Sequence, residues 1–117
     1  MCNMKIGEVC LLTDNVIQLA NFYKDLFEID NSNDDDVHQF IISEGTTLTI
    51  YNDGKNRKNN FQNICLAFTV DDVDIEFERL KKLGIKIISS PTMQPWGAKN
   101  MTFNDPDGNS ITFRCFP

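Results

Sequence analysis

Apolar and polar residues alternate from Glu8 to Leu12, with Val9 and Leu11 on one side and Glu8, Cys10 and Leu12 on the other. A period of two predicts a strand, because successive side chains leave opposite faces. The period then lengthens. Val16, Leu19, Ala20, Tyr23, Leu26 and Phe27 recur at helical spacing, with Asn15 placed to cap the first turn. The same change of period returns from Cys65. Leu66, Phe68 and Val70 share a face opposite Cys65, Ala67 and Thr69, and Val73, Phe77, Leu80 and Leu83 follow at helical spacing. Asp71 and Asp72 open this second helix, Lys81 and Lys82 suit the negative end of its dipole, and Gly84 stops it. At one constant offset Asp14 meets Asp71, Val16 meets Val73, Lys24 meets Lys81 and Leu26 meets Leu83. The chain is a repeat.

Shorter strand candidates follow each helix. The first half offers "VHQFIIS" and "TLTIY" behind the acidic loop "NSNDDD"; the second offers "IKIIS", "AKNMTF" and "SITFRCF". Pro106 and Gly108 of "DPDG" fit the second and fourth positions of a type I turn, which predicts a hairpin from the last two strands. The pattern predicts an α+β fold: one domain of two βαβββ modules, about 5–52 and 62–117. A helix would cover one face of each sheet, and the opposite faces would form a curved mixed sheet around a cavity, the natural place for a functional site.

Composition narrows the function. A chain of 117 residues with 41% hydrophobic content buries enough surface to fold without a metal or disulfide. The start, "MCNMKIGEVCLL", lacks the features of a signal peptide, and no run approaches the roughly 20 apolar residues that cross a bilayer. A cytoplasmic protein without membrane partners is expected. Cys2, Cys10, Cys65 and Cys115 are widely spaced, without a CxxC, and are read as reduced, buried thiols. The net charge of −6 argues against nucleic acid and favours cationic partners. The basic loop "NDGKNRKNN" reads as a solvated connection.

With its repeat, "NVIQLANFYKDLF" after the first strand, "VDDVD" opening the second helix and "DPDGNSITF" near the end, the chain resembles the vicinal oxygen chelate superfamily. That superfamily includes glyoxalases, ring-cleaving dioxygenases, thiol transferases that inactivate fosfomycin, and bleomycin-resistance proteins. Its enzymes typically hold a divalent metal with His and Glu from the first and last strands of each module. The resemblance places those positions at Glu8, Thr49, Cys65 and Thr112. Neutral Thr hydroxyls are poor donors, which leaves Glu8 and Cys65. The single histidine, His38, starts a strand and reads as solvated. The usual quartet is missing, so no metal or cofactor is expected.

Metal-free catalysis has little to build on. The chain contains no GxSxG elbow, and no Cys–His pair is suggested by spacing. Glu8 could act as a general base; the favoured reading is a cavity carboxylate facing Arg114 or a ligand cation. Cys65 has no apparent cationic neighbour to activate it and is read as packing. No catalytic residue is assigned, and the chain reads as a binding protein more than an enzyme.

The loop "QPWGAKNMTFNDPDGN" resembles one common in the bleomycin-resistance branch. That branch implies a metal-free homodimer that sequesters a cationic, aromatic antibiotic. Trp96 has two open readings: a plug pinned by Pro95 and Gly97, or an indole that stacks on a ligand. Tyr51, Asn100 and Arg114 are further contact candidates beside Glu8, Cys65 and Thr112. Tyr51 and Arg114 share strand parity with Thr49 and Thr112. The leading expectation is a small-molecule-binding protein for a cationic or aromatic ligand, with antibiotic resistance as the biological role. The alternatives are a metal-dependent glyoxalase-like lyase or dioxygenase with unusual ligands, and a concave face, apolar at Leu12 and Ala67, that serves dimerisation or a partner.

Overall fold

The structure, a computed structural model, describes residues 6, 8–54 and 65–117. Cys2 and residues 55–60 of the basic loop lie outside the described residues. The chain divides into two compact units, residues 1–58 and 59–117.

The first module runs β1 (Glu8–Leu12), α1 (Val16–Phe27), β2 (His38–Ser43) and β3 (Thr46–Tyr51). Its strands form a mixed sheet in the order β1-β3-β2, parallel between β1 and β3 and antiparallel between β2 and β3. Helix α1 lies against β2 and β3. Of the residues predicted to face inwards, Val16, Leu19, Ala20, Tyr23, Leu26 and Leu11 are buried, while Val9 and Phe27 are half-buried; Ile41, Leu48 and Ile50 complete the core. Asn15 caps the helix as expected, its Oδ1 accepting from the Gln18 N–H at 3.2 Å.

Two polar side chains enter this core unannounced by the pattern. Lys24 and Gln39 are only 5% and 2% exposed, and the Lys24 ammonium donates to Gln39 Oε1 at 2.7 Å. The Gln39 amide N–H₂ in turn donates to the carbonyls of Asn33 and Asp35, both at 3.0 Å.

The second module runs β4 (Cys65–Thr69), α2 (Val73–Lys82), β5 (Ile87–Met93), β6 (Lys99–Asn104) and β7 (Ser110–Cys115), with sheet order β4-β7-β6-β5. The pairing of β4 with β7 is parallel and the other two are antiparallel. Val73, Leu80, Met101, Phe103, Ile111 and Phe113 make its core. The Phe113 ring meets Phe103 and Phe68 edge to face, at 5.1 and 5.9 Å, and each such pair adds about 0.5–1.5 kcal/mol beyond its buried area. Edge strand β5 carries Pro91 and two register shifts. Both features discourage pairing with a further strand.

The "DPDG" hairpin is built as predicted. The Gly108 N–H donates to the Asp105 carbonyl at 2.9 Å, and Gly108 sits at φ +86°. The buried Asp105 carboxylate holds the turn from inside, accepting from the Asp107 and Asn109 N–H groups and from the Asn109 amide at 2.8–2.9 Å.

The second module is the full βαβββ unit. The first is one strand shorter among the described residues, because residues 28–37 form no strand. This stretch is dominated by Asp and Asn and has no apolar alternation to give a strand a buried face. The cysteine reading also needs correction. Cys115 is buried, but Cys10 and Cys65 are exposed, because both lie on the sheet face turned away from the helix.

Both helices end with the same paired hydrogen bonds. Ile85 N–H reaches the Leu80 carbonyl and Gly84 N–H that of Lys81; Ile29 N–H reaches Lys24 and Glu28 N–H reaches Asp25. In α2 the left-handed residue is Gly84 (φ +81°); in α1 it is Glu28 (φ +57°). A side chain is strained in that conformation by about 1–2 kcal/mol, against a smaller entropic cost for glycine in the unfolded chain. Glu28 is exposed. Glu28→Gly is therefore expected to raise stability by about 0.5–1 kcal/mol. Urea unfolding checks this, and a lower midpoint would contradict it.

Candidate functional site

On the first sheet, strand parity places Glu8, Cys10 and Leu12 of β1 on the face away from α1, beside Thr47, Thr49 and Tyr51 of β3 and His38, Phe40 and Ile42 of β2. The register aligns Cys10 with Thr49 and Phe40, and Leu12 with Tyr51 and His38. The Thr49 hydroxyl, itself buried, donates a short hydrogen bond to Glu8 Oε2. His38 packs against the rings of Phe40 and Tyr51, with centroids at 5.8 and 6.2 Å. Leu12, Phe40, Ile42 and Tyr51 all remain substantially exposed.

The corresponding face of the second sheet is polar. Cys65 Sγ lies 3.5 Å from Thr112 Oγ1. Arg114 donates from Nε to Thr69 Oγ1 at 3.1 Å, and its guanidinium carbon stands 5.4 Å from the Phe116 ring centroid. Asn100 is the register partner of Arg114, and its Oδ1 is buried without a hydrogen-bond partner among the described residues. An unmet buried acceptor costs about 1–3 kcal/mol, so this face has a use for a donor from outside.

Trp96 occupies the tip of the β5–β6 hairpin. The turn closes through Gly97 N–H to the Gln94 carbonyl at 3.0 Å and Gln94 N–H to the Ala98 carbonyl at 2.7 Å, with Gly97 at φ +94°. Trp96 is 68% exposed. It does not plug its own loop.

The structure thus brings Glu8 to Thr49, Cys65 to Thr112 and Arg114 beside Asn100, with Tyr51 on the face of the first pair. The two Thr positions are equivalent in register: Thr49 lies two residues beyond Thr47, the direct partner of Glu8, as Thr112 lies two beyond Ser110, the partner of Cys65. Sequence reasoning missed Thr69 as the partner of Arg114, although Thr69 shares parity with Cys65. It also missed the Lys24–Gln39 pair, which no local pattern announces.

As a donor set, one carboxylate, one thiol and two neutral hydroxyls do not fit a divalent cation that favours His and Glu. No group of three His, Cys, Asp or Glu side chains is placed to hold a metal ion among the described residues. The Cys10 thiol is pushed above its ordinary value by partial desolvation, then by the negative charges of Glu8 and Asp53.

A repeated strand-helix-sheet unit, with a side-chain cluster on the helix-free face of each sheet, defines an α+β protein of the paired-module type. The chain belongs to the Glyoxalase/Bleomycin resistance protein/Dioxygenase superfamily, matching it over residues 5–113. Solved structures share the fold. A glyoxalase/bleomycin resistance protein/dioxygenase from Nocardioides is 19% identical, with 99% of this chain and 85% of that one covered and a TM-score of 0.80. A lactoylglutathione lyase from Agrobacterium tumefaciens is 22% identical, with 95% and 92% covered and a TM-score of 0.75. TioX from Micromonospora sp. ML1 is 16% identical, with 97% and 100% covered and a TM-score of 0.73. No helix among the described residues is long and apolar enough to cross a membrane.

The raised Cys10 value means less thiolate at a given pH. At pH 8, iodoacetamide should modify Cys10 more slowly than a cysteine in a short peptide, and Glu8→Gln should speed the reaction by removing a negative neighbour. Peptide mapping by mass spectrometry checks both; a peptide-like rate at Cys10 would contradict the assignment.

Proposed function

We propose that this protein binds a small cationic or aromatic molecule, in the manner of the bleomycin-resistance proteins that its Trp-Gly loop resembles, and acts by sequestration as a homodimer without a metal. The observation that carries this reading is the exposed indole of Trp96 at a hairpin tip closed by backbone hydrogen bonds. A turn closed by two backbone hydrogen bonds holds a flat, electron-rich ring in solvent, where stacking on a heteroaromatic ring or cation is its most productive use.

Within the unit that carries Trp96, the helix-free sheet face supports the reading, because it holds a buried acceptor, Asn100 Oδ1, that a ligand N–H would satisfy. The first unit, taken by itself, exposes apolar and aromatic side chains at Leu12, Phe40 and Tyr51. A net charge of −6 favours a positive ligand. The carboxylate-thiol-hydroxyl donor set supports binding over metal chemistry.

Trp96 is the single tryptophan, so its emission reports on one place. Titration with ethidium and with metal-free bleomycin should quench it saturably, and Trp96→Phe should weaken binding by roughly 5–30-fold in calorimetry, the worth of a stacking or cation–π contact of about 1–2 kcal/mol. Folded protein that neither quenches nor releases heat with a wide set of cationic aromatics would end this proposal.

A further inference from the structure

The two modules differ by one strand, and the difference leaves room. In the second module β5 pairs with β6; in the first, the strand corresponding to β6 is β2, and the loop of residues 28–37 stands where a fourth strand would be. A pocket of about 340 Å³ opens between the end of α1, this loop and β2. That is within the range of small-molecule sites, about 300–1,000 Å³. We propose that this pocket is a second binding site, which meets the helix-free face of the first sheet only at His38 and Phe40, and that it takes a small carboxylate whose remainder is neutral or cationic, the class of the α-amino acids.

The argument starts from Lys24. Lys24 lines the pocket and is nearly enclosed, and its ammonium has three N–H donors. One donates to Gln39 Oε1, a neutral acceptor. No carboxylate of the described residues forms an ion pair with it. A buried charge without a counter-charge is costly, and a ligand carboxylate would accept the remaining protons and neutralise it. Gln39 cannot swing away to do so differently, because its own N–H₂ is held by the Asn33 and Asp35 carbonyls. The donor is therefore pre-aimed.

The walls select among anions. Asp35 also lines the pocket, and the N–H groups of Val37 and His38 hold its carboxyl below the usual range, so it stays ionised. The Asp35 charge disfavours a dianion such as phosphate and offers a counter-charge to a ligand ammonium. Ile29 and Ile41 supply apolar wall for a side chain, with Phe40 at the border shared with the sheet face. One cation and one anion bordered by apolar groups match a zwitterion.

The test uses the full chain and three probes: L-leucine, acetate and inorganic phosphate, followed by amide NMR shifts. Saturable shifts in residues 29–41 with L-leucine, weaker ones with acetate and none with phosphate are expected. Lys24→Gln keeps an N–H for Gln39 Oε1 and removes the charge; it should stay folded by circular dichroism and lose affinity for L-leucine on the order of tenfold. Trp96→Phe should leave L-leucine binding unchanged, which keeps this site distinct from the one read out by tryptophan emission. Wild-type affinity in folded Lys24→Gln, phosphate binding in preference to L-leucine, or no saturation by L-leucine at its solubility limit would each overturn the proposal.

Discussion

Parallel pairing of the first and last strand of each module decides which side chains meet. Glu8 and Thr49 are 41 residues apart in the chain, and Cys65 and Thr112 are 47, yet each pair touches because parallel register sets equivalent residues side by side on one face. The helix between the strands takes the other face and with it the apolar half of every strand. Shift either register by one residue and Leu11, Ile50, Leu66 and Phe113 would leave their cores while Glu8 and Arg114 entered them. The core therefore protects the site: the burial that stabilises the fold also fixes the cluster opposite.

Polar groups inside the two units are mostly satisfied, with Asn100 Oδ1 and the Lys24 charge as exceptions. Asp105 accepts three N–H donors, and Thr13 accepts from Asn15 N–H while its own N–H reaches the Tyr51 carbonyl. Such groups are charged or polar but satisfied, so burial costs little. Lys24 is held by a neutral amide alone. Its counterpart in the repeat, Lys81, lies 4.5 Å over the Phe77 ring and within 3.4 Å of Glu78, with access to water. The same position in two copies thus carries a solvated charge in one and an enclosed charge in the other.

What the sequence disclosed was whatever short-range chemistry decides. Asn15, Asp72, Gly84 and the "DPDG" turn act within four or five residues, and all four do what their residue types predict. Strand faces were equally legible, since parity needs no knowledge of neighbours. Parity also contained the answer on Cys10 and Cys65, which it puts opposite Leu11 and Leu66; treating thiols as generic apolar filler overrode it. The shorter first module was visible in the count of strand-like runs after α1, two against three. The exposure of Trp96 was not, because it depends on how the β5–β6 turn closes. Nor was the link from Lys24 to Gln39, which needs α1 laid across β2.

The missing strand has a second consequence, one of colloidal behaviour. Among the described residues β2 has β3 as its one partner strand, so its other edge carries backbone groups that no strand of its sheet satisfies. The segment "HQFIIS" contains no Asp, Glu, Lys or Arg, is free of proline and glycine, and is rich in β-formers, the composition of a cross-β seed. Just ahead of it, across Val37, stands "DDD". Those three carboxylates are placed as gatekeepers, setting like charge against like wherever two such edges approach. Acid would remove that repulsion, and the protein's solubility should then fail from this edge first.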